Sequence, residues 1–472
     1  MKDQTEAPLF QALLHHKNEM EGNFHVPGHK QGQAFDVQGR KWFKDILSVD
    51  LTEVGELDDL HDPSGAILDA QTLAAEAFGA DQTHFLVGGS TAGNLALILG
   101  TCRAGDRLIV HRSSHQSVFH GCILAGVRPV FLSGRGHEPL GGQLQATDLE
   151  NMLSRYPEAK GVLITSPDYF GRVQPVSDLS MVCQRFGVPL MVDEAHGAHF
   201  GFHPSLPKSA LRMNADGVVQ STHKMLPAMT MASMLHLQGD RLDREQISYW
   251  LKVIQSSSPS YPLMASLDLA RRFLVQEGKV QLQRIIEMIS QMRKKIWNLE
   301  QLTEDWVPGS DPLKICIRSR KSISGYRLLQ WLEDRKHSME MADHEKVLAV
   351  MTVGTNQDDV DRLTDLLYRL DREMVTMEEN QPISIPENPW WSECAISLDQ
   401  LRMKENERVS LDQAVNRISA AMVTPYPPGI PLVLPGETFT QEKVTQIRHV
   451  LDHGGRVRGL TCGFPPKVSV IQ

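Results

Sequence analysis

Residues 192–199 read VDEAHGAH, and residues 220–224 read QSTHK. Each stretch lies at the end of a short apolar run of the kind that predicts a buried strand. Asp193 therefore comes at the end of one strand, and Lys224 comes shortly after the next strand. Because open α/β sheets bind ligands beyond the carboxyl ends of their strands, both side chains are candidates for a site at that edge.

An acid followed by a lysine in this order is the pair that pyridoxal phosphate (PLP) chemistry requires. The lysine amine reacts with the cofactor aldehyde, and the carboxylate keeps the pyridinium nitrogen protonated so that the ring accepts electrons. Taken alone, the pair favours the simpler interpretation, in which Lys224 is a surface lysine and Asp193 a strand-end cap. The remaining motifs of the chain favour the PLP interpretation.

The bulk composition is that of an ordinary globular protein. The chain has 472 residues, of which 41% are hydrophobic and 22% are charged. This length predicts more than one domain. The net charge of -9 and the lack of a long Lys/Arg run argue against a nucleic-acid partner.

Cysteine usage and the first residues indicate a reducing compartment. The six cysteines include no Cys-x-x-Cys pair, so we expect free thiols rather than disulfides or a zinc site. Residues 1–10 carry acids and lack the apolar core of a signal peptide. No apolar run reaches membrane-spanning length. We therefore expect a cytoplasmic protein without a membrane partner.

The first half of the chain alternates β-rich runs with helical stretches, beginning with a helical pattern at 67–78. The β-rich runs lie at 83–87, 107–111, 128–132, 161–165, 189–192, 217–220 and 231–237. This alternation predicts an α/β fold with a mostly parallel sheet and helices on both faces.

The chain is expected to contain three parts. Residues 1–50 are polar and indicate an N-terminal arm or loop, 51–275 form the large domain, and 276–472 hold a linker helix and a smaller C-terminal α+β domain. The elements expected in the last part are helices at 263–299, 325–336, 357–378 and 441–451, strands at 314–320 and 346–353, and an irregular Pro-rich connection at 381–391.

Residues 88–94 read GGSTAGN and follow a predicted strand. Small residues, Ala92 among them, let backbone amides approach an anion, and Ser90 and Thr91 supply hydroxyls at a helix N-terminus. The stretch is therefore a candidate phosphate-binding turn. The alternative is a tight strand-to-helix turn with a Ser/Thr cap. It is not a Walker motif, because no Gly-Lys-Ser/Thr follows.

Histidines occur close to each of these segments. His115 begins the helix after the following strand, where its ring is placed either to stack on a pyridine ring or to cap the helix. Ser221 and His223 directly precede the lysine and are candidates for the phosphate or the cofactor rim. His196 and His199 suggest a metal site, but no third ligand is indicated, so we expect no metal.

An ordered set of motifs runs along nearly the whole chain. They are HVPGHK at 25–30, LDDLH at 57–61, the 88–94 turn, DEAHGAH at 193–199, STHK at 221–224, SSSPSY at 256–261, YPPGIP at 426–431 and PGE at 435–437. Together they resemble the bacterial ornithine/lysine/arginine decarboxylases of PLP fold type I. The resemblance is to the short form, without the extra N-terminal domain of the large inducible enzymes.

The resemblance implies a PLP-dependent transferase-like large domain and a role for each matched residue. Lys224 would hold PLP, Asp193 would pair with the ring nitrogen, and His115 and Ala195 would pack on the two faces of the ring; Lys224, His115 and Asp193 are the candidate catalytic residues. Ser256 would reach the phosphate of the neighbouring subunit, which implies a homodimer. The candidate cofactor-binding set is Ser90, Thr91, Ala92, His115, Asp193, Ala195, His196, Ser221, His223, Lys224 and Ser256.

The implied reaction is α-decarboxylation of arginine, lysine or ornithine to the corresponding amine and CO2. A buried substrate cation needs a carboxylate partner. Glu437 and Asp58 are the candidates for this contact, followed by Glu56, and each is alternatively a loop acid or a helix cap. The sequence does not choose among the three substrates. Without the extra domain, polyamine biosynthesis is favoured over acid resistance.

Two other classes of function stay open at this point. The first is an aminotransferase or a carbon–sulfur lyase on the same fold, for which Arg172 or Arg320 is available to grip an α-carboxylate. The second is a non-catalytic PLP-binding regulatory protein. The intact set of acid, histidine and lysine argues against the second class.

Overall fold

The computed structural model describes residues 3–135, 142–376, 389–397, 400–401, 403–426, 429–463 and 465–472. The chain divides into two compact units. The first unit contains Met1–Thr101 and Met191–Gln281, and the second contains Cys102–Leu190 and Leu282–Gln472. Most of the predicted Pro-rich connection at 381–391 lies outside the described residues, as do Pro427 and Pro428 of the 426–431 motif.

Helices are distributed along both units. Those that the structure describes are α1 (Pro8–Glu19), α2 (Val37–Leu47), α3 (Ala66–Phe78), α4 (Gly89–Thr101), α5 (Gln116–Ala125), α6 (Ala146–Arg155), α7 (Val176–Phe186), α8 (Thr222–Met225), α9 (Arg244–Ile254), α10 (Tyr261–Phe273), α11 (Lys279–Ile296), α12 (Gly325–Glu333), α13 (Gln357–Glu373), α14 (Leu411–Ala414) and α15 (Gln441–Asp452). Single 3-10 turns occur at Leu211–Met213 and Met374–Thr376, and a π-helical turn occurs at Leu274–Gly278.

Strands are short throughout. The described strands are β1 (Gln82–Leu86), β2 (Arg107–His111), β3 (Arg128–Leu132), β4 (Val162–Thr165), β5 (Leu190–Asp193), β6 (Gly217–Gln220), β7 (Ser233–Leu237), β8 (Leu302–Glu304), β9 (Lys314–Ser319), β10 (Met341–Ala342), β11 (Lys346–Val350), β12 (Trp391–Glu393), β13 (Asn406–Ser410), β14 (Thr424–Pro425), β15 (Val457–Arg458) and β16 (Lys467–Ile471).

The seven strands predicted in the first half of the chain are confirmed as β1 to β7, with small shifts at their ends. The largest shift is at β7, which begins at Ser233 instead of Met231. Met231 has a φ of 79°, and Ala232 N–H donates to the Met229 carbonyl in a tight turn. A left-handed backbone cannot continue a strand, so the chain becomes extended only after this turn.

One helical prediction is confirmed and one needs correction. The helix predicted at 263–299 is observed as a helical run from α10 to α11, with Leu274–Gly278 as a π-helical turn inside it. The N-terminal segment predicted as an arm or loop contains the helices α1 and α2. The polar composition of residues 1–50 concealed α1, whose apolar contacts involve only a few residues such as Leu9 and Leu13.

The first unit contains the strands that carry the candidate site. Its strands follow the order β1-β7-β6-β5. β5 and β6 are parallel, with Asp193 opposite Val219, and β7 is antiparallel to both β6 and β1. Every residue of β5 and β6 is buried, which explains their uninterrupted apolar runs. The segments after β5 and β6 therefore leave the sheet at the same edge.

The second unit combines parallel strands with antiparallel sheets. β2 is parallel to both β3 and β4, and β12 is antiparallel to β3. A separate antiparallel sheet has the order β10-β11-β9-β8, and the C-terminal strands form the pairs β13-β16 and β14-β15. Because β2 pairs in parallel with β3 and β4, β5 pairs in parallel with β6, and the C-terminal sheets are antiparallel, the predicted α/β fold with a smaller α+β part is confirmed.

Helix α4 lies close against the strands of its own unit because of a glycine. A Cβ atom at Gly93 would lie 2.8 Å from Leu86 Cδ1 and 2.9 Å from Val219 Cγ1. Contacts under 3.0 Å force a shift, so a larger residue would displace either the helix or the Leu86 and Val219 side chains. The close approach brings the next residue, Asn94, to the end of β5.

A buried ion pair fastens the N-terminal helix α1 to α10. Asp268 and Arg271 are both 0% exposed and lie 2.7 Å apart. Asp268 Oδ2 accepts from Leu9 N–H at 3.0 Å, and Arg271 donates to the Gln4 carbonyl at 2.7 Å. Burial raises the pKa of Asp268, which Arg271 opposes. Breaking one member of such a pair costs about 3–5 kcal/mol, so α1 is firmly held in the first unit.

Candidate active site

Asp193 is a buried carboxylate with a fixed orientation. It ends β5 and is 3% exposed. Its Oδ2 accepts a hydrogen bond from Asn94 Nδ2 at 2.9 Å, and its Oδ1 accepts one from Ala195 N–H at 3.2 Å. Asn94 belongs to the 88–94 stretch, but no role for it follows from the sequence alone, because spacing does not reveal which side chain of α4 points towards β5.

Lys224 and His196 face each other at the ends of neighbouring strands. Lys224 lies on α8, the single helical turn that follows β6, and its Nζ is 3.0 Å from His196 Nε2. His196 is 4% exposed and lies in the turn after Asp193. His196, a nitrogen base, therefore lies next to Lys224, which carries the only amine among the sequence-predicted site residues. The two motifs that the sequence singled out thus meet in space.

The predicted phosphate-binding turn joins the same group. Ser221 Oγ donates to Ser90 Oγ at 2.8 Å, so the hydroxyls from the two motifs are adjacent. α4 begins at Gly89, whose φ of 72° suits glycine, and its N-terminal amides favour an anion. Thr91 is exposed and Ala92 is buried.

A glutamine that was not predicted supports this turn. Gln255 is 8% exposed, and its Oε1 accepts from Val87 N–H at 2.7 Å and from Gly88 N–H at 3.3 Å. It therefore fixes the connection between β1 and α4. It lies directly before Ser256, and this proximity to a predicted site residue is the sequence signal that could have identified it.

His223 is held by the backbone of its own unit. Its Nδ1 donates to the Ala232 carbonyl at 3.0 Å. Burial lowers the pKa of His223, and the neighbouring Lys224 lowers it further, while the hydrogen bond to Ala232 opposes the shift. The ring is thus favoured in its neutral form, with one nitrogen directed to the backbone.

His115 belongs to the second unit, where it caps a helix. It is the N-cap residue of α5, and its Nδ1 accepts from Ser117 N–H at 3.3 Å. Gly429 has a φ of 91°, and a Cβ there would lie 3.3 Å from His115 Nε2. The lack of a side chain at Gly429 therefore lets its backbone lie close to that side of the His115 ring. The capping alternative is therefore observed, and stacking on a cofactor stays a prediction.

Glu437 is already paired with two cations of the second unit. The carboxylate accepts from Arg112 Nη2 and Lys443 Nζ, each at 3.0 Å, and from Leu434 N–H at 2.9 Å. Burial opposes its ionisation, but Arg112 and Lys443 outweigh burial and hold the pKa of Glu437 below its usual value. This geometry favours a structural role over contact with a substrate cation.

Asp58 is a helix cap, one of the two alternatives for it. Its carboxylate accepts hydrogen bonds from backbone N–H groups at the start of α3 and in the preceding loop. The donors are Asp59, Ser64, Gly65, Ile67 and Leu68. With its lone pairs engaged in this way, Asp58 has little capacity left for a ligand. Glu56 is exposed.

The two arginines considered for an α-carboxylate are also engaged. Arg172 Nη2 donates to Asp305 at 3.2 Å, and Lys346 binds the same carboxylate at 2.6 Å. Arg320 Nε donates to the Leu302 carbonyl at 3.2 Å. These contacts all lie within the second unit. The ion pair with Asp305 gives Arg172 a structural role, whereas the exposed Arg320 makes this contact through its Nε alone.

Within the described ranges, no group of three His, Cys, Asp or Glu side chains is arranged to hold a metal ion. His196 faces Lys224, and the His199 ring packs against Phe200 with ring centroids 4.8 Å apart. Among the helices that the structure describes, none combines the length and apolar character needed to cross a membrane.

Comparison with protein families gives one match at each end of the chain. The model of the Orn/Lys/Arg decarboxylase major domain matches residues 7–310, and the model of the C-terminal domain of the same family matches residues 393–468. The chain belongs to the Orn/Lys/Arg decarboxylase family. The resemblance inferred from the ordered motifs is thereby confirmed.

Individual relatives agree with this family over nearly full length. The uncharacterized protein YaaO of Bacillus subtilis is 39% identical over 96% of this chain and 96% of its own. The arginine decarboxylase of Bacillus subtilis is 33% identical over 97% of this chain and 96% of its own. The solved constitutive lysine decarboxylase of E. coli superposes with a TM-score of 0.83, at 22% identity, over 100% of this chain and 82% of that chain.

PLP is the cofactor of this decarboxylase family, and the residues present fit it. A structure of SPT with PLP shares the fold over 66% of this chain and 77% of that chain, with a TM-score of 0.54 and 15% identity. The first unit supplies an amine on Lys224, a buried carboxylate on Asp193, and paired hydroxyls on Ser90 and Ser221 at a helix N-terminus. These are the groups that PLP chemistry requires.

We predict that Asn94→Ala weakens PLP binding about tenfold, because a hydrogen bond to a charged group is worth about 1.5–3 kcal/mol. Asp193 would lose the donor that orients Oδ2. The dissociation constant is measured by titrating apoprotein with PLP and following the visible absorbance of the bound cofactor. Asn298→Ala, at an exposed position, is the matched control. Equal constants for both variants would contradict the orienting role of Asn94.

We predict that Glu437→Gln lowers the free energy of unfolding at pH 7 by about 2 kcal/mol and changes KM for substrate less than about threefold. The folded-state pKa of Glu437 is depressed, so its stabilisation is present above the unfolded value and is lost as pH falls through the folded pKa. Urea unfolding of both proteins at pH 7 and at acidic pH measures the difference, which should shrink in acid. A large rise in KM with unchanged stability would instead assign Glu437 to the substrate.

Proposed function

We propose that this protein removes the α-carboxyl group of a basic amino acid as CO2 and releases the corresponding amine. The observation that carries the proposal is the arrangement at the ends of β5 and β6. There the oriented carboxylate of Asp193 and the amine of Lys224 follow adjacent parallel strands. The family match over both parts of the chain supports the same reaction.

Arginine is the substrate we favour. The arginine decarboxylases of Bacillus subtilis and Bacillus anthracis are each 33% identical over 97% of this chain, whereas the constitutive lysine decarboxylase of E. coli is 25% identical over 95% of it. Arginine demands a planar carboxylate partner placed for two parallel hydrogen bonds, so a site that accepts it differs from one built for an ammonium group.

Different residues of the first unit would bind different parts of the cofactor. When bound, PLP supplies an electron-accepting ring that takes up the electron pair left by the departing CO2. Lys224 would hold the cofactor, and Asp193, oriented by Asn94, would present a negative charge to the ring nitrogen. Ser90 and Ser221 would bind the phosphate together with the N-terminus of α4.

The Lys224–His196 pair would return a proton to the Cα atom of the substrate. A proton must return to Cα after CO2 leaves, and the donor must recover its proton before the next turnover. Lys224 Nζ and His196 Nε2 are 3.0 Å apart, which is within reach for direct transfer between them. We assign the proton return to this pair, with His196 reloading Lys224.

A homodimer is part of the proposal. Ser256 is exposed, whereas its neighbour Gln255 is buried, and the Ser256 carbonyl accepts from His61 Nε2 at 2.8 Å. The backbone of this turn is thus fixed, and the Ser256 hydroxyl, which accepts from Ser258 N–H at 3.3 Å, lies on an exposed residue that a neighbouring subunit could contact. The cytoplasmic location and a role in polyamine biosynthesis stay predictions.

We predict that the purified protein with added PLP converts arginine to agmatine. Arginine, lysine and ornithine are supplied separately, and mass spectrometry identifies the amine product. Lys224→Ala should bind no cofactor covalently and yield no amine. If all three amino acids stay unchanged while the wild type shows the visible absorbance of bound PLP, the decarboxylase proposal fails and the aminotransferase, lyase and regulatory alternatives take precedence.

We predict that Lys224→Ala and Ser256→Asp complement each other. Each variant alone should be nearly inactive, because one lacks the amine and the other places a negative charge beside the phosphate. If Ser256 acts across the subunit interface, a mixed dimer has one site with both changes and one intact site, so activity recovers to about half per dimer. Differently tagged variants are coexpressed and purified through both tags. No recovery in the mixed dimer would contradict the shared site.

A further inference from the structure

A chain of buried polar side chains runs through the first unit to the candidate active site. Thr83 and His236 lie opposite each other on β1 and β7, and Thr83 Oγ1 is 2.8 Å from His236 Nδ1. His236 Nε2 is 3.2 Å from Gln220 Oε1, and Gln220 Nε2 is 2.7 Å from Glu194 Oε2. All four side chains are buried, none more than 2% exposed.

The hydrogen bonds in this chain share one direction. Burial lowers the pKa of His236 to about 3, with a further contribution from His84, so its ring is neutral and one nitrogen donates while the other accepts. The consistent assignment has Thr83 donating to His236, His236 donating to Gln220, and Gln220 donating to Glu194. Bonds aligned in this way strengthen one another.

The last member of this series of hydrogen bonds is Glu194, whose carboxyl group loses solvation free energy by being buried in the core. Burial raises the pKa of Glu194 to about 8, although its hydrogen bonds with Gln220 and Ala210 oppose the shift. Among the described residues, both hydrogen bonds given to it come from amide N–H groups, since Ala210 N–H donates to Glu194 Oε1 at 2.7 Å. An apolar residue would avoid this desolvation cost.

The sequence position of Glu194 gives a reason why a carboxyl group is buried there despite the cost of its desolvation. Glu194 directly follows Asp193, and Gln220 directly precedes Ser221. Their side-chain hydrogen bond therefore joins the two site segments where they leave the sheet. A Cβ at Gly197 would lie 2.6 Å from Glu194 Cγ, so the turn that carries His196 wraps closely around this side chain.

We propose that Glu194 is a positioning residue: through Gln220 it sets the distance between the His196 turn and the Lys224 helix. The Glu194–Gln220 hydrogen bond lies at the base of the two segments, and the His196–Lys224 contact lies further along them. The consequence for catalysis rests on the proposed decarboxylation, but the effect on Lys224 does not.

A pair of single variants and their combination test this proposal. In Glu194→Gln, the amide N–H2 of the new side chain faces an N–H donor, from either Gln220 or Ala210. In Gln220→Glu, two carboxyl groups face each other. In the double variant E194Q/Q220E every partner is matched again. The new carboxylate at position 220 accepts from His236 and from the new amide at position 194, and the oxygen of that amide accepts from Ala210 N–H.

The first measurement does not depend on substrate. Apoprotein is mixed with PLP, and the visible absorbance of the Lys224-bound cofactor is followed in time. We expect each single variant to slow its formation about 10- to 100-fold, since a misplacement of about 1 Å costs on this order, and the double variant to return to within about threefold of wild type. Thr83→Val, at the far end of the chain, should slow it less than either single variant.

Thermal unfolding and turnover complete the test. If the single variants lose only stability while their folded fraction binds PLP at the wild-type rate, Glu194 is merely structural and the proposal is overturned. Failure of the double variant to recover, although folded, would overturn it as well. If the binding rates follow the proposal but the wild type decarboxylates no basic amino acid, the positioning role stands and the proposed function fails.

Discussion

The parallel pairing of β5 with β6 is the constraint on which the candidate site depends. Its register places Asp193 opposite Val219, so the segments that carry His196 and Lys224 leave the sheet side by side. A slip of one residue would turn every side chain of a strand to the opposite face. Every residue of both strands is buried, so such a slip would disrupt the close packing on both faces, and the geometry of the candidate site depends on the packing of the sheet.

The buried carboxyl groups of this chain show how their surroundings decide what they can do. Asp58 takes five backbone N–H donors, and Glu437 takes two cations and one N–H, so both are largely satisfied within the protein. Asp193 accepts from one side-chain amide and one backbone N–H, which leaves hydrogen-bonding capacity for a ligand. The number and kind of donors separate these two structural acids from Asp193, the acid proposed to pair with the cofactor.

The parts of the structure that could be predicted from the sequence are those with local signals. Continuous apolar runs identified β1 to β7, and motif order identified the family and the Asp193 and Lys224 segments. The Asn94 and Glu194 contacts could not be predicted, because each joins residues distant in sequence through a side-chain direction that spacing does not specify. The same reason made Glu437 and Asp58 look available to a substrate. Gln255 had only its place next to Ser256 as a signal.

The buried Asp268–Arg271 pair, which holds α1 against α10, has a consequence for the synthesis of the protein. Leu9 and Asp268, which are hydrogen-bonded, are 259 residues apart in the chain. At translation rates of about 5–20 residues per second, on the order of 10–50 s pass between the synthesis of Leu9 and that of Asp268. During that interval Leu9 and Leu13 have no α10 to cover them, and all of Cys102–Leu190 is synthesised in between. For more than half of its synthesis, the nascent chain therefore has only α3, and not yet α10, to pack against α1.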